Sequence, residues 1–81
     1  MPRYFFHFRD HIALIDDEGV ELRDLAAARA LAVRQARAIA GEQCAEGRLF
    51  LWHRFDISGE DGGVITSVTF GEAVAVEAEP R

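Results

Sequence analysis

The segment from Leu25 to about Glu46 is free of proline, is rich in Ala, Leu, Arg and Gln, and is the one stretch of this 81-residue chain that reads as a long helix. A fold with one helix can cover one side of a sheet and no more. At about 100° per residue, Leu25, Ala28, Ala32, Ala36 and Ile39 share a face flanked by Leu31 and Val33, while Arg34 and Arg37 fall on the far side. So many alanines in the buried stripe let the helix axis approach a sheet closely, and the large side chains of the strands then fill the layer between. Asp24 is suited to cap the first turn, where its carboxylate accepts from free backbone N–H groups. Gly41 is a weak point in the interior, and Gly47 stands where a helix commonly stops.

Alternating runs lie on either side. Residues 3–9, RYFFHFR, put Tyr4, Phe6 and Phe8 on one face of a strand and Arg3, Phe5, His7 and Arg9 on the other. Asp10 and His11 break the run before a second strand at about 12–16, which predicts a hairpin, although His11 is less suited than Gly to a turn that needs positive φ. The connector Asp16-Asp17-Glu18-Gly19-Val20-Glu21 reads as solvated. After the helix, residues 49–58 predict a third strand with Leu51, His53, Phe55 and Ile57 on one face and Phe50, Trp52, Arg54 and Asp56 on the other. Gly59 to Gly63 is a hairpin loop by composition, and Val64 to Phe70 predicts a fourth strand, with Val64, Thr66, Val68 and Phe70 alternating with Ile65, Ser67 and Thr69. The order predicts an α+β fold, a ββαββ two-layer domain in which one helix packs on one face of an antiparallel four-stranded sheet. That domain is expected over residues 1–73, with 74–81 a flexible C-terminal tail.

Size and charge narrow the function. A domain this small buries only roughly 60% of the surface its unfolded chain exposes, so self-association would add stability. The formal charge of -5 disfavours a primary role on DNA, structured RNA or an anionic membrane. All nine basic residues are Arg, a bias that, with the abundant Ala, follows from GC-rich coding better than from phosphate recognition. The lone Cys44 has no partner for an internal disulfide. No stretch has signal-peptide character or the roughly 18 apolar residues of a membrane span, so a cytoplasmic location is expected.

Motifs for catalysis are missing: there is no G-x-S-x-G, no P-loop and no G-x-G-x-x-G. His7, His11, His53 and Cys44 lack the close spacing of zinc ligands, and the acidic connector lacks the ligand positions of a calcium loop. No enzyme, metal or cofactor is expected. His53 shares parity with Leu51, Phe55 and Ile57 and reads as a partly satisfied histidine at the core edge.

What alternation singles out is the outer face of the sheet. If Tyr4, Phe6 and Phe8 face the helix, then Phe5, His7, Phe50, Trp52, Arg54 and Ile65 face away from it. Trp, Phe and Arg are enriched at the centres of protein interfaces, so the expected function is a protein-interaction module that forms a homodimer or binds another protein through this face or an edge, with Phe5, His7, Phe50, Trp52 and Arg54 as the binding residues. The alternative is a single-stranded nucleic-acid binder that stacks bases on these rings, with Arg3, Arg9 and Arg54 supplying positive charge. In a third arrangement Val74 and Val76 of the tail cover the face from within.

The opening MPRYFFHFRD, the stretch DDEGVELRDLAAARALA, and the later WHRFDIS with EDGGVITSVTF resemble a family of short, single-domain alphaproteobacterial proteins of unknown function. The resemblance spans about residues 2–73 and implies a small cytoplasmic bacterial protein, with no activity or ligand attached. This chain departs from the family pattern at Asp10-His11, where Asp-Gly is common, and at Arg23, where proline is frequent.

Overall fold

An alanine side chain ends close to the helix backbone, and Ala28, Ala32, Ala36 and Ala40 of helix α1 (Leu25–Ala45) are the residues buried against the sheet in the computed structural model, which describes residues 1–80. Leu25, Val33 and Ile39 pack at the margins of that stripe. Asp24 caps the helix as expected, its Oδ1 accepting from the Ala27 N–H at 2.9 Å, and Gly47 takes φ 86° just beyond the C-terminus. Arg37 does not simply face water. Its Nε donates to the Ala73 carbonyl at 2.7 Å.

The sheet is antiparallel and runs β2–β1–β4–β5, from strands β1 (Arg3–Arg9), β2 (Ala13–Leu14), β4 (Arg54–Ser58) and β5 (Val64–Thr69); a further short strand, β3 (Val20–Glu21), also pairs with β1. The α+β class and the helix-on-sheet packing agree with the sequence reading. The second strand differs. Instead of one strand over 12–16, two short pieces lie end to end along β1, β2 opposite Phe8 and Arg9 and β3 opposite Arg3 and Tyr4, with the register slipping by two residues between them. The hairpin turn does not force His11 into left-handed backbone. Among the described residues only glycines have positive φ, and the Ile12 N–H donates to Asp10 Oδ1 at 2.8 Å to close the turn.

The third strand begins at Arg54 rather than at residue 49. The chain leaving α1 is tied back to it by the Arg48 N–H to the Gln43 carbonyl, and the Phe50 carbonyl then accepts from the His53 N–H, which turns the chain at residues 50–53. Phe50 and Trp52 are therefore off the sheet, and Leu51 is exposed. The fourth strand ends one residue early, because Thr69 caps a short helix α2 (Phe70–Ala73) through a capping box with Glu72. A register irregularity at Ile57/Ser58 pairs Thr66 with Ile57 but Val64 with Ser58, so Val64 joins the outer face rather than the core.

The core lies between α1 and the inner rows of β1, β4 and β5, with Phe70, Ile57 and Val68 fully buried and Tyr4 and Phe55 nearly so. Val74 packs against this cluster, while Ala75 to Pro80 carry no regular element. Arg81, the last residue of the expected tail, lies outside the described residues. No helix among the described residues is long and apolar enough to cross a membrane.

Close helix-to-sheet approach makes the alanine stripe intolerant of bulk. Ala32→Leu is expected to lower stability by about 1–3 kcal/mol through overpacking, whereas Ala30→Leu on the exposed side should leave it within about 0.5 kcal/mol. Urea unfolding of the two variants checks this.

Candidate functional site

Strand parity places Phe5, His7 and Arg9 of β1 beside Arg54, Asp56 and Ser58 of β4, and Ser67 and Thr69 of β5, all on the side away from α1. Three of the expected site residues, Phe5, His7 and Arg54, are thus on the outer face. The other two are not. Phe50 and Trp52 lie in the turn before β4, at one end of the sheet.

At the centre of the face is Asp56, only 6% exposed. Its Oδ1 accepts from Arg54 Nε at 2.8 Å and Ser67 Oγ at 2.7 Å, and its Oδ2 accepts from Arg9 Nε at 3.0 Å. A carboxylate in the middle of a strand demands partners, and here they come from its own strand and from both neighbours, β1 and β5. Burial pushes its pKa up, but the Ser67 hydroxyl and the two guanidinium groups outweigh burial and hold it below the ordinary 3.8. The spacing Arg54-x-Asp56 in an alternating strand already put this pair on one face; that Arg9 joins them depends on the β1–β4 register, which alternation alone does not give.

A second carboxylate closes the free side of β1. Asp16 sits where β2 and β3 leave a gap, and its Oδ2 accepts from the Phe6 N–H at 3.1 Å while Oδ1 accepts from Glu18 and Gly19. Burial raises its pKa, yet the backbone donors of Phe6, Gly19 and Glu18 prevail and bring it below 3.8. The Asp16 N–H donates to His7 Nδ1 at 3.1 Å, so the ring proton is on Nε2, which donates to Ser58 Oγ at 2.8 Å. His7 is thereby a clamp between connector and sheet. Gly19 has φ 71°, and a Cβ there would come within 2.9 Å of the Tyr4 carbonyl and the Arg3 and Phe5 side chains. The connector read as solvated is in fact seated on β1 at these two residues, and the Gly in an acidic run was its sequence mark.

Between these groups the outer face dips into an open hollow of about 430 Å³. His7, Arg9 and Ser58 line it with the apolar side chains of Phe5, Ile15 and Val64. Ile15 and Val64 are each more than half exposed. No residue of the 74–80 segment lines the hollow, so Val74 and Val76 do not cover it.

The β5 edge is obstructed. Arg29 reaches from α1 to Thr66 Oγ1 at 2.8 Å and to the Ser67 carbonyl at 3.3 Å, and the Thr69 N–H is taken by Glu72 Oε1 at 3.2 Å. Backbone groups that a new strand would need are held by side chains.

At the end of the sheet, Phe50 stacks on His53 with centroids 4.6 Å apart and planes at 12°, a contact that alternation forbids and the turn creates. Trp52, His11, Phe8 and Phe70 surround the same imidazole at 4.5–5.8 Å. Gln43 orders this cluster: its Oε1 accepts from the Phe50 N–H and its Nε2 donates to His53 Nδ1 at 3.0 Å. That leaves the His53 proton on Nε2, buried with no hydrogen-bond acceptor and enclosed by aromatic rings. Burial lowers the His53 pKa; nearby Asp10 opposes this and His11 adds to it. The expected half-satisfied histidine is here, but its aromatic enclosure was invisible to parity. Among the described residues, no three His, Cys, Asp or Glu side chains are grouped to hold a metal ion.

Comparison with known proteins gives one match: the family model described as Domain of unknown function (DUF6894) covers residues 3–71. No curated protein and no solved structure matches the chain.

Two pH effects follow. A carboxylate with a depressed folded pKa contributes stability that is present above 3.8 and is lost as pH falls through the lower folded value. Asp56→Asn should therefore cost about 3 kcal/mol at pH 7, by leaving two guanidinium groups without their carboxylate, and flatten the loss of stability in acid. Urea titrations at pH 7 and below 4 test both. For His53 the folded state resists protonation, so stability falls as pH drops below 6.5 and the unfolded chain takes up the proton. His53→Phe should show a shallower decline between pH 7 and 5 in the same measurement.

Proposed function

The chain belongs to this family of unknown function, and from that premise we propose, on its own geometry, that the domain is a protein-interaction module that pairs with a second copy through the outer face of its sheet. One observation carries the reading. The single long helix covers one side, Arg29 and Glu72 hold backbone groups along β5, and the remaining face is open and rimmed by the exposed Ile15 and Val64. Apolar side chains gathered round a hollow on so small a molecule mark a contact surface. A stable pair needs about 800 Å² from each partner, which one side of a molecule exposing 5450 Å² can provide. At β5 the face rather than the edge is the route, because Arg29 and Glu72 occupy backbone groups an added strand would use.

The nucleic-acid alternative draws on a row of rings for stacking bases. With Phe50 and Trp52 engaged around His53 at the end of the sheet, this face keeps Phe5 and a His7 already committed at both nitrogens. No separate observation favours that reading.

Sedimentation equilibrium tests the pairing. The wild-type mass is expected to rise from 9.0 kDa toward twice that value with concentration, and Ile15→Glu combined with Val64→Glu should hold it at the lower figure. A wild-type protein that remains at 9.0 kDa at millimolar concentration overturns self-association.

A further inference from the structure

The side-chain amide of Gln43 holds two groups at once, and their chemistry fixes which end meets which. The Phe50 N–H can only donate, so it takes Oε1 at 3.3 Å; Nε2 is then left for His53 Nδ1 at 3.0 Å, which must carry no proton to accept it. The bridge therefore exists only while the imidazole is neutral. Its one proton is on Nε2, buried and without an acceptor. Phe50 covers one face of the ring in its 4.6 Å stack, and Trp52, Phe8 and Phe70 make edge contacts around it. The charged and titratable groups that act on His53 are Asp10 and His11, both from the turn after β1, the first favouring a charged ring and the second opposing it. From α1, β1 and α2 the groups in contact are the neutral Gln43, Phe8 and Phe70.

We infer that Gln43, His53 and the Phe50 N–H form a proton-operated latch on the segment that joins α1 to β4, because a proton on His53 Nδ1 turns an acceptor into a donor and the amide can no longer serve both groups. If Oε1 swings to the new N–H, the Phe50 N–H faces the Gln43 NH2 group; if Oε1 stays, two donors meet at His53. Either way an N–H in a part-buried site loses its acceptor, a cost that water relieves once the segment moves. Backbone ties limit that movement. The Arg48 N–H is held by the Gln43 carbonyl at 2.9 Å and the Gly71 N–H by the Leu51 carbonyl at 3.0 Å, so the release is confined to the turn around Phe50 and lifts its ring from the imidazole. The start of β4 is anchored separately, the Phe70 N–H donating to the His53 carbonyl at 2.8 Å. Opening is therefore local and precedes acid unfolding of the sheet.

The test is NMR on the full chain between about pH 7.5 and about pH 5, following the His53 ring protons and the hydrogen-exchange protection of individual amides. His53 is expected to titrate below 6.5. Protection of the Phe50 amide should fall about tenfold in step with it, while Phe55 and Asp56, in a strand paired on both sides, keep theirs. Gln43→Glu places an acceptor at both positions, so His53 should titrate at higher pH in that variant and the Phe50 amide should stay protected throughout. His53→Phe, whose ring takes no proton, provides the same check if the first variant does not fold: its Phe50 protection should be equal at both ends of the range. Phe50 protection that is unchanged while His53 titrates, or that is lost together with that of Phe55, overturns the latch. A pH-dependent release of Phe50 in either variant overturns it as well.

Discussion

A carboxylate buried in the middle of a sheet is expensive unless every lone pair is used, and Asp56 uses its own to join three strands. Arg9 comes from β1, Arg54 from the same strand as the acid, and Ser67 from β5. Because β1 is far from β4 in sequence and Ser67 reaches the acid from the next strand, the carboxylate is satisfied only when the sheet has its native register. A one-residue slip would turn Asp56 toward the alanine stripe and Phe55 toward water, so the polar centre of one face and the apolar core of the other enforce the same alignment. The packing of α1 depends on that alignment as well, since alanines can lie close to a sheet only where the opposing row is continuous and apolar.

The same economy governs the sheet's borders. A small domain has few elements with which to cover an edge, and here single side chains do it: Asp16 stands in for missing strand between β2 and β3, while Arg29 and Glu72 occupy β5. Polar groups hold the β5 edge, where stray pairing would lead to aggregation.

How much of this was readable in the sequence depended on the range of the interaction. The helix, its Asp24 cap and its Gly47 stop are local and were legible, as were the inward rows Tyr4-Phe6-Phe8 and Phe55-Ile57. The outer placement of Phe5, His7 and Arg54 followed from the same alternation. Alternation failed where the chain turns. LFLWHRFDIS reads as one unbroken strand, but the exit from α1 consumes its first half in a turn, and Phe50 ends up stacked on a residue of opposite parity. Val64 was misplaced for a related reason, since an irregularity in pairing reverses parity without leaving a mark in composition. The partners of Asp16 and the Arg9 partner of Asp56 lie in other segments, and periodicity within a segment carries no information about which segments meet.

The position of β1 in the strand order has a consequence for synthesis. This first strand, rich in aromatic residues, lies between β2 and β4, and its Phe5 is opposite Ser58. During synthesis RYFFHFR is made before both of its neighbours, and the second, β4, arrives only after the whole helix has been made. Until then the newborn strand has the short, split β2–β3 segment on one side and nothing on the other. The contacts of Asp16 with Phe6 and His7, which join residues within ten positions of each other, can form during that interval beside the β2 and β3 pairings, so the Phe6 N–H can be taken before β4 is made.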